Sequence, residues 1–78
     1  PNPFNPKTTI KYDIINDSFV KLNIYNLKGE KVKTLVNKNQ LKGKYSIEFD
    51  GSNLASGIYL YVMEVGNKQF TKKMIMLK

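Results

Sequence analysis

The chain has 78 residues, a net charge of +7 and neither cysteine nor histidine. That length allows one domain, which buries only about 60% of the surface its unfolded chain exposes. The missing Cys and His exclude a disulfide staple, a thiol nucleophile, the usual general base and most zinc sites.

All 13 basic residues are Lys, and residues 1–39 carry seven of them with three acids while residues 40–78 carry six with three acids. Base-edge and bidentate phosphate recognition leans on Arg, so this even spread reads as a solvated, lysine-coated surface, with no nucleic acid as partner. The exception is the tail, where Lys68, Lys72, Lys73 and Lys78 follow Glu64 with no further acid. No apolar run approaches the ~20 residues of a membrane span, and no signal peptide is visible. The start at Pro1 reads as the edge of something larger, with any export signal upstream.

In chain order, Pro1, Pro3 and Pro6 open the sequence and push it, with Asn2 and Asn5, away from helix and central strand. Residues 1–7 therefore read as a stiff junction from an upstream domain, with Phe4 as its lone apolar anchor, and residues 8–78 as the domain proper. Ile10, Tyr12 and Ile14 then alternate with Lys11 and Asp13, and Val20, Leu22 and Ile24 with Lys21 and Asn23, across a turn at Asn16-Asp17-Ser18. Asn26-Leu27-Lys28-Gly29 reads as a hairpin connection. Val32, Leu35 and Val36 have helix-like spacing, but seven residues after a glycine are too few, and the segment reads as a bulged strand. NKNQLKGK reads as a loop. Tyr45, Ile47 and Phe49 alternate up to the Asp50-Gly51 turn. GIYLYVMEV has bulk at both alternating sets, Ile58, Leu60 and Val62 against Tyr59, Tyr61 and Met63, which predicts a central strand covered on both sides. Gly66-Asn67 turns the chain into KQFTKKMIMLK.

Six strands separated by regular turn signals, with no convincing helix, predict an all-β fold: an immunoglobulin-like antiparallel β-sandwich of six to seven strands, a seventh coming from the opening segment. Tyr59, after Leu54 and Gly57, stands where such sandwiches place a tyrosine corner, its hydroxyl bonded to main chain a few residues back; simple packing of a half-buried aromatic is the other reading.

No catalytic constellation is visible: Asp13, Asp17, Glu30, Glu48, Asp50 and Glu64 are scattered over outward and turn positions, and the chain does not read as an enzyme. Asp50-Gly51-Ser52-Asn53 lacks the carboxylate spacing of a calcium loop and reads as a turn, and no cofactor is implied. Tyr45, Tyr59 and Tyr61 suggest a sugar-stacking platform, but they fall in core-type runs and there is no Trp. Met74-Ile75-Met76-Leu77 is apolar on both faces and flanked by lysines, so it reads as the last strand or as an edge that another protein pairs with.

Taken in order, PNPFNPKTTI, VKLNIYNLKGEKVKTLV, GKYSIEFDG, SGIYLYVMEVG and KKMIMLK resemble the type A C-terminal sorting domain of the type IX secretion system, over essentially all 78 residues. The immunoglobulin-like domain of flagellar hook-capping proteins shares much of the pattern. The resemblance implies a domain that is an address and performs no reaction, attached to a cargo, exported through the periplasm to the cell surface or medium. Its partners would be an outer-membrane translocon and a sortase-type cysteine peptidase that removes it, with attachment of the cargo to anionic lipopolysaccharide. The matching positions are Pro1, Asn2 and Pro3, then Gly43, Tyr45, Gly57, Tyr59, Tyr61 and Gly66. Lys72, Lys73, Met74, Ile75, Met76, Leu77 and Lys78 form the tail expected to touch the translocon. Phe49 and several lysines stand where many members have Trp or Arg. A structural or carbohydrate-binding accessory module is the alternative function.

Overall fold

The computed structural model describes residues 6–77; the expectations that fall on Pro1, Asn2, Pro3, Phe4 and Lys78, and a seventh strand from the opening segment, lie outside them. Six strands follow in order: β1 (Lys7–Ile14), β2 (Ser18–Asn26), β3 (Lys31–Gln40), β4 (Gly43–Asp50), β5 (Gly57–Val65) and β6 (Lys68–Met76). β1 and β4 form one antiparallel sheet, and the order β3-β2-β5-β6 forms the other. The all-β sandwich predicted from alternation is thus present, split two strands against four.

The alternating residues meet between the sheets. Ile10 and Ile14 from β1, Phe49 from β4, Val20, Leu22 and Ile24 from β2, and Tyr59 and Met63 from β5 are all buried in one cluster. Because side chains along a strand point to opposite faces, the register fixes this: Leu22 lies opposite Met63 and Ile24 opposite Tyr61, on the inner face.

β3 shows how helix-like spacing becomes a strand. Its pairing with β2 slips once between Leu22 and Asn23 and again between Ile24 and Tyr25, leaving Leu35 and Val32 without a direct partner. Each slip adds a residue on β3, so Val32, Leu35 and Val36 all reach the core despite spacing that no flat strand would allow. β3 also runs further than expected: Asn37, Lys38, Asn39 and Gln40, expected in a loop, pair with Lys21, Val20, Phe19 and Ser18. β3 is an edge strand with an outer face in water, where polar side chains are tolerated, and buried Gln40 accepts a 2.8 Å hydrogen bond at Oε1 from the Tyr12 hydroxyl.

β5 corrects another expectation. It is internal in its sheet, but only its inner face is covered. Among the described residues no element lies over the outer face, where Ile58 is exposed and Leu60 and Val62 are half-buried. Two layers cover one face of each sheet, and bulky residues on both faces do not by themselves summon a third layer.

The turns are built by side chains the sequence supplies. At the β2–β3 connection the Asn26 Oδ1 accepts the N–H groups of Lys28 (2.9 Å) and Glu30 (3.0 Å), while its Nδ2 donates to Glu30 Oε1 at 2.7 Å. Asn26→Ala removes all three bonds and is expected to destabilise the domain by about 1–2 kcal/mol, read as a lower urea midpoint at unchanged slope. In the β5–β6 hairpin Gly66 takes φ +58°, and no non-glycine residue among those described has positive φ. That places Gly at the first central position of a two-residue type II′ turn, the geometry whose twist suits a hairpin.

Candidate functional site

From Lys72 to Met76 the tail expected to carry recognition lies on the final strand. Gly57, Ile58 and Tyr59 of β5 pair with Met76, Ile75 and Met74 of β6, so the apolar tail pairs within the domain. Alternation then divides it. Met76 points inward and is buried, and Met74 is half-buried beside the core. Lys72, Lys73, Ile75 and Leu77 are exposed, Ile75 at 64% and Leu77 at 50%. A Cβ on Gly51 would collide with the Met76 side chain, so the turn after β4 closes directly onto the tail.

Among the described residues one long side of the sandwich is open: β6 pairs there with β5 alone and β1 with β4 alone, and residues of both strands line the same hollows. Between them lie two shallow hollows of about 260 and 280 Å³. Pro6, Thr8, Met74 and Leu77 line the first. The second has a mostly apolar lining, with Tyr12 on the β1 side, Tyr61 and Met63 at its base, and Phe70 and Lys72 on β6. Phe70 is 56% exposed there. The contribution of β1 to this side was invisible in the sequence, because it depends on how the sheets stack.

The expected Gly and Tyr positions form two copies of one device. Gly43 opens β4 and Gly57 opens β5; two residues later Tyr45 donates its hydroxyl to the Leu41 carbonyl, and Tyr59 to the Ala55 carbonyl, each at 2.6 Å and four residues back. Tyr59 is therefore both the expected corner and a buried core aromatic. Tyr45 stacks on Tyr12, centroids 5.4 Å apart and planes 14° from parallel. Burial also raises the pKa of the Tyr12 phenol above its usual value, against the opposing effect of its hydrogen bond to Gln40. With Tyr59 in the core, Tyr45 against Tyr12 and Tyr61 facing the open side, the three form no common stacking surface. Tyr59→Phe leaves the Ala55 carbonyl without its partner and is expected to lower stability by about 1–2 kcal/mol in urea unfolding; Tyr45→Phe, whose bond is exposed, should lose less than about 1 kcal/mol.

Asp50-Gly51-Ser52-Asn53 is a turn. The Asp50 Oδ1 accepts the Ser52 N–H at 2.9 Å, and Gly51 N–H donates to the Pro6 carbonyl at 3.2 Å. The Ser52 N–H first, then its hydroxyl, hold the Asp50 carboxyl below the usual aspartate value. Among the described residues no three carboxylates converge on a common point. A second polar feature sits on the outer face of the larger sheet, where Lys21, Tyr25, Thr34 and Asn37 surround Asn23. Asn23 is buried and its Oδ1 has no partner among the described residues.

The fold and this geometry define a class: a small two-sheet β-sandwich whose last strand is flanked by lysines and lies beside an open, mostly apolar hollow. The chain belongs to the secretion system C-terminal sorting domain family, whose model matches residues 1–77. It is a C-terminal sorting signal for type IX secretion, which directs an upstream cargo to the cell surface or extracellular space. No curated protein and no solved structure matches the chain.

Proposed function

We infer that the outer-membrane translocon of type IX secretion reads this domain through the exposed part of β6, namely Lys72, Lys73, Ile75 and Leu77, with Lys78 continuing the same run. Met74 and Met76 hold that strand in place from the inside. The Gly-x-Tyr devices at Gly43/Tyr45 and Gly57/Tyr59, with Tyr61 and Gly66, build the sandwich that presents it. The domain performs no reaction. The cargo passes through the periplasm before the translocon binds residues 8–78, and residues 1–7, with the Pro1-Asn2-Pro3 motif, serve as the junction. A sortase-type cysteine peptidase of the partner machinery then removes the domain and can join the cargo to anionic lipopolysaccharide.

The observation that carries this reading is the division of the tail: Met74 and Met76 belong to the core, while Lys72, Lys73, Ile75 and Leu77 face solvent. The test fuses residues 1–78 behind a signal peptide and a fluorescent protein in a type IX-competent bacterium. The parent fusion is expected at the surface or in the medium, and the Ile75→Lys/Leu77→Lys variant, folded, in the periplasm. A parent fusion that stays trapped although folded would remove the sorting function; equal export of both would move recognition away from the tail.

A further inference from the structure

The hairpin geometry states which backbone groups of β6 are already used. In a two-residue hairpin the pair flanking the turn is hydrogen-bonded, here Val65 and Lys68. Every second residue from Lys68 therefore bonds to β5: Lys68, Phe70, Lys72, Met74 and Met76. The residues between them, Gln69, Thr71, Lys73 and Ile75, turn their N–H and C=O groups to the free edge, where no described strand pairs with them. Four donors and four acceptors in strand register form a template for one more strand.

Natural edge strands are blunted by prolines, bulges or inward charges. β6 has no proline and its pairing with β5 is unbroken over nine residues. Lysines are its sole guard, and they select as well as repel. Lys68, Lys72 and Lys73 are exposed along β6, and no acid lies on the strand. Across the open side Lys11 of β1 is exposed as well, and Asp13 lies 3.7 Å from the Lys44 ammonium. A second copy of β6 would bring lysines against lysines. An acidic strand would be attracted.

We propose that β6 is a strand-addition site for an extended acidic segment of a partner protein, which pairs with Gln69, Thr71, Lys73 and Ile75 and sets its apolar side chains over Phe70, Tyr61 and Met63. The inference rests on the reading of the exposed tail as the recognised surface and names the chemistry of what recognises it. The alternating donors and acceptors of the edge specify a peptide backbone. An anionic polysaccharide matches the lysines alone.

The probe is a ten-residue peptide alternating glutamate with valine, with a lysine–valine peptide as its control. Added to the 78-residue chain, the acidic peptide is expected to slow amide exchange at Gln69, Thr71, Lys73 and Ile75, and to leave Phe70, Lys72 and Met74 as protected as before. Thr71→Pro removes one outward N–H and no bond to β5, a substitution an edge strand tolerates, so the variant should stay folded by circular dichroism and lose the protection. Lys73→Pro is a second variant of the same design. Lys72→Glu/Lys73→Glu should weaken binding by about tenfold or more.

No protection, equal protection by the lysine peptide, or equal protection by anionic lipopolysaccharide would overturn the proposal. So would edge amides already protected in the dilute chain alone, since the chain or a second copy would then fill the edge. In the export assay, a folded Thr71→Pro fusion exported as well as an exported parent would overturn strand addition and leave the sorting function standing. A parent fusion that is not exported would count against that function, and the exchange experiment would still decide the edge.

Discussion

Phe49→Ala is expected to cause the largest single-residue loss of stability in the domain and to reduce export with it. Phe49 is fully buried between the sheets, the largest of the side chains with no exposed surface, and the Lys33 ammonium sits 5.7 Å from its ring centroid. Truncating a buried phenylalanine costs about 3–5 kcal/mol, through lost transfer energy and the cavity left behind. A domain of this size is stable by roughly 4–12 kcal/mol, and nothing covalent such as a disulfide offsets the loss. The result should appear in urea unfolding as a large fall in midpoint, and in cells as degraded fusion. A loss under about 1 kcal/mol would contradict the stacking of β4 on the larger sheet.

Deletion of Met74–Lys78 is the second large effect, and it acts through the fold. The cut removes buried Met76 and half-buried Met74, and takes the partners of Gly57, Ile58 and Tyr59 from β5. Losing one buried methionine side chain alone costs about 2–5 kcal/mol, and the exposed end of β5 adds unpaired backbone groups. The truncated domain is expected to lose its cooperative thermal transition. Its failure to be exported would then follow from unfolding, whatever the translocon reads. Ile75→Lys/Leu77→Lys avoids this, because both side chains point to solvent. A truncated domain that melts as cooperatively as the parent would show that β6 contributes little to the core.

Several local features could be read without a structure because the physics behind them is local. Alternation in Ile10-Lys11-Tyr12-Asp13-Ile14 commits those residues to opposite faces wherever the strand lies. Asn26 and Gly66 carry their own turn chemistry. The corner at Tyr59 was legible because its partner, Ala55, is four residues away. The parallel device at Tyr45 went unnoticed, although Gly43-Lys44-Tyr45 repeats the same spacing. The polar stretch Asn37–Gln40 misled, since its composition suits a loop and only its edge position makes it a strand. The free Oδ1 of Asn23 had no sequence signal: a lone Asn among alternating residues looks like any other outward polar group.

The sequence by itself determined six strands, the alternating apolar sets of β1, β2 and β4, the turns and, through its ordered motifs, the sorting family, because periodicity and turn chemistry act over a few residues. Tertiary structure decided which faces and edges remained open. Among the described residues, the stacking of two strands on four buries Met76 while leaving Ile75 and Leu77 in solvent, covers β5 on one face only, and sets the unpaired edge of β6 beside that of β1. Those outcomes depend on long-range pairing and on the number of layers available, and neither is encoded in the pattern of any single strand.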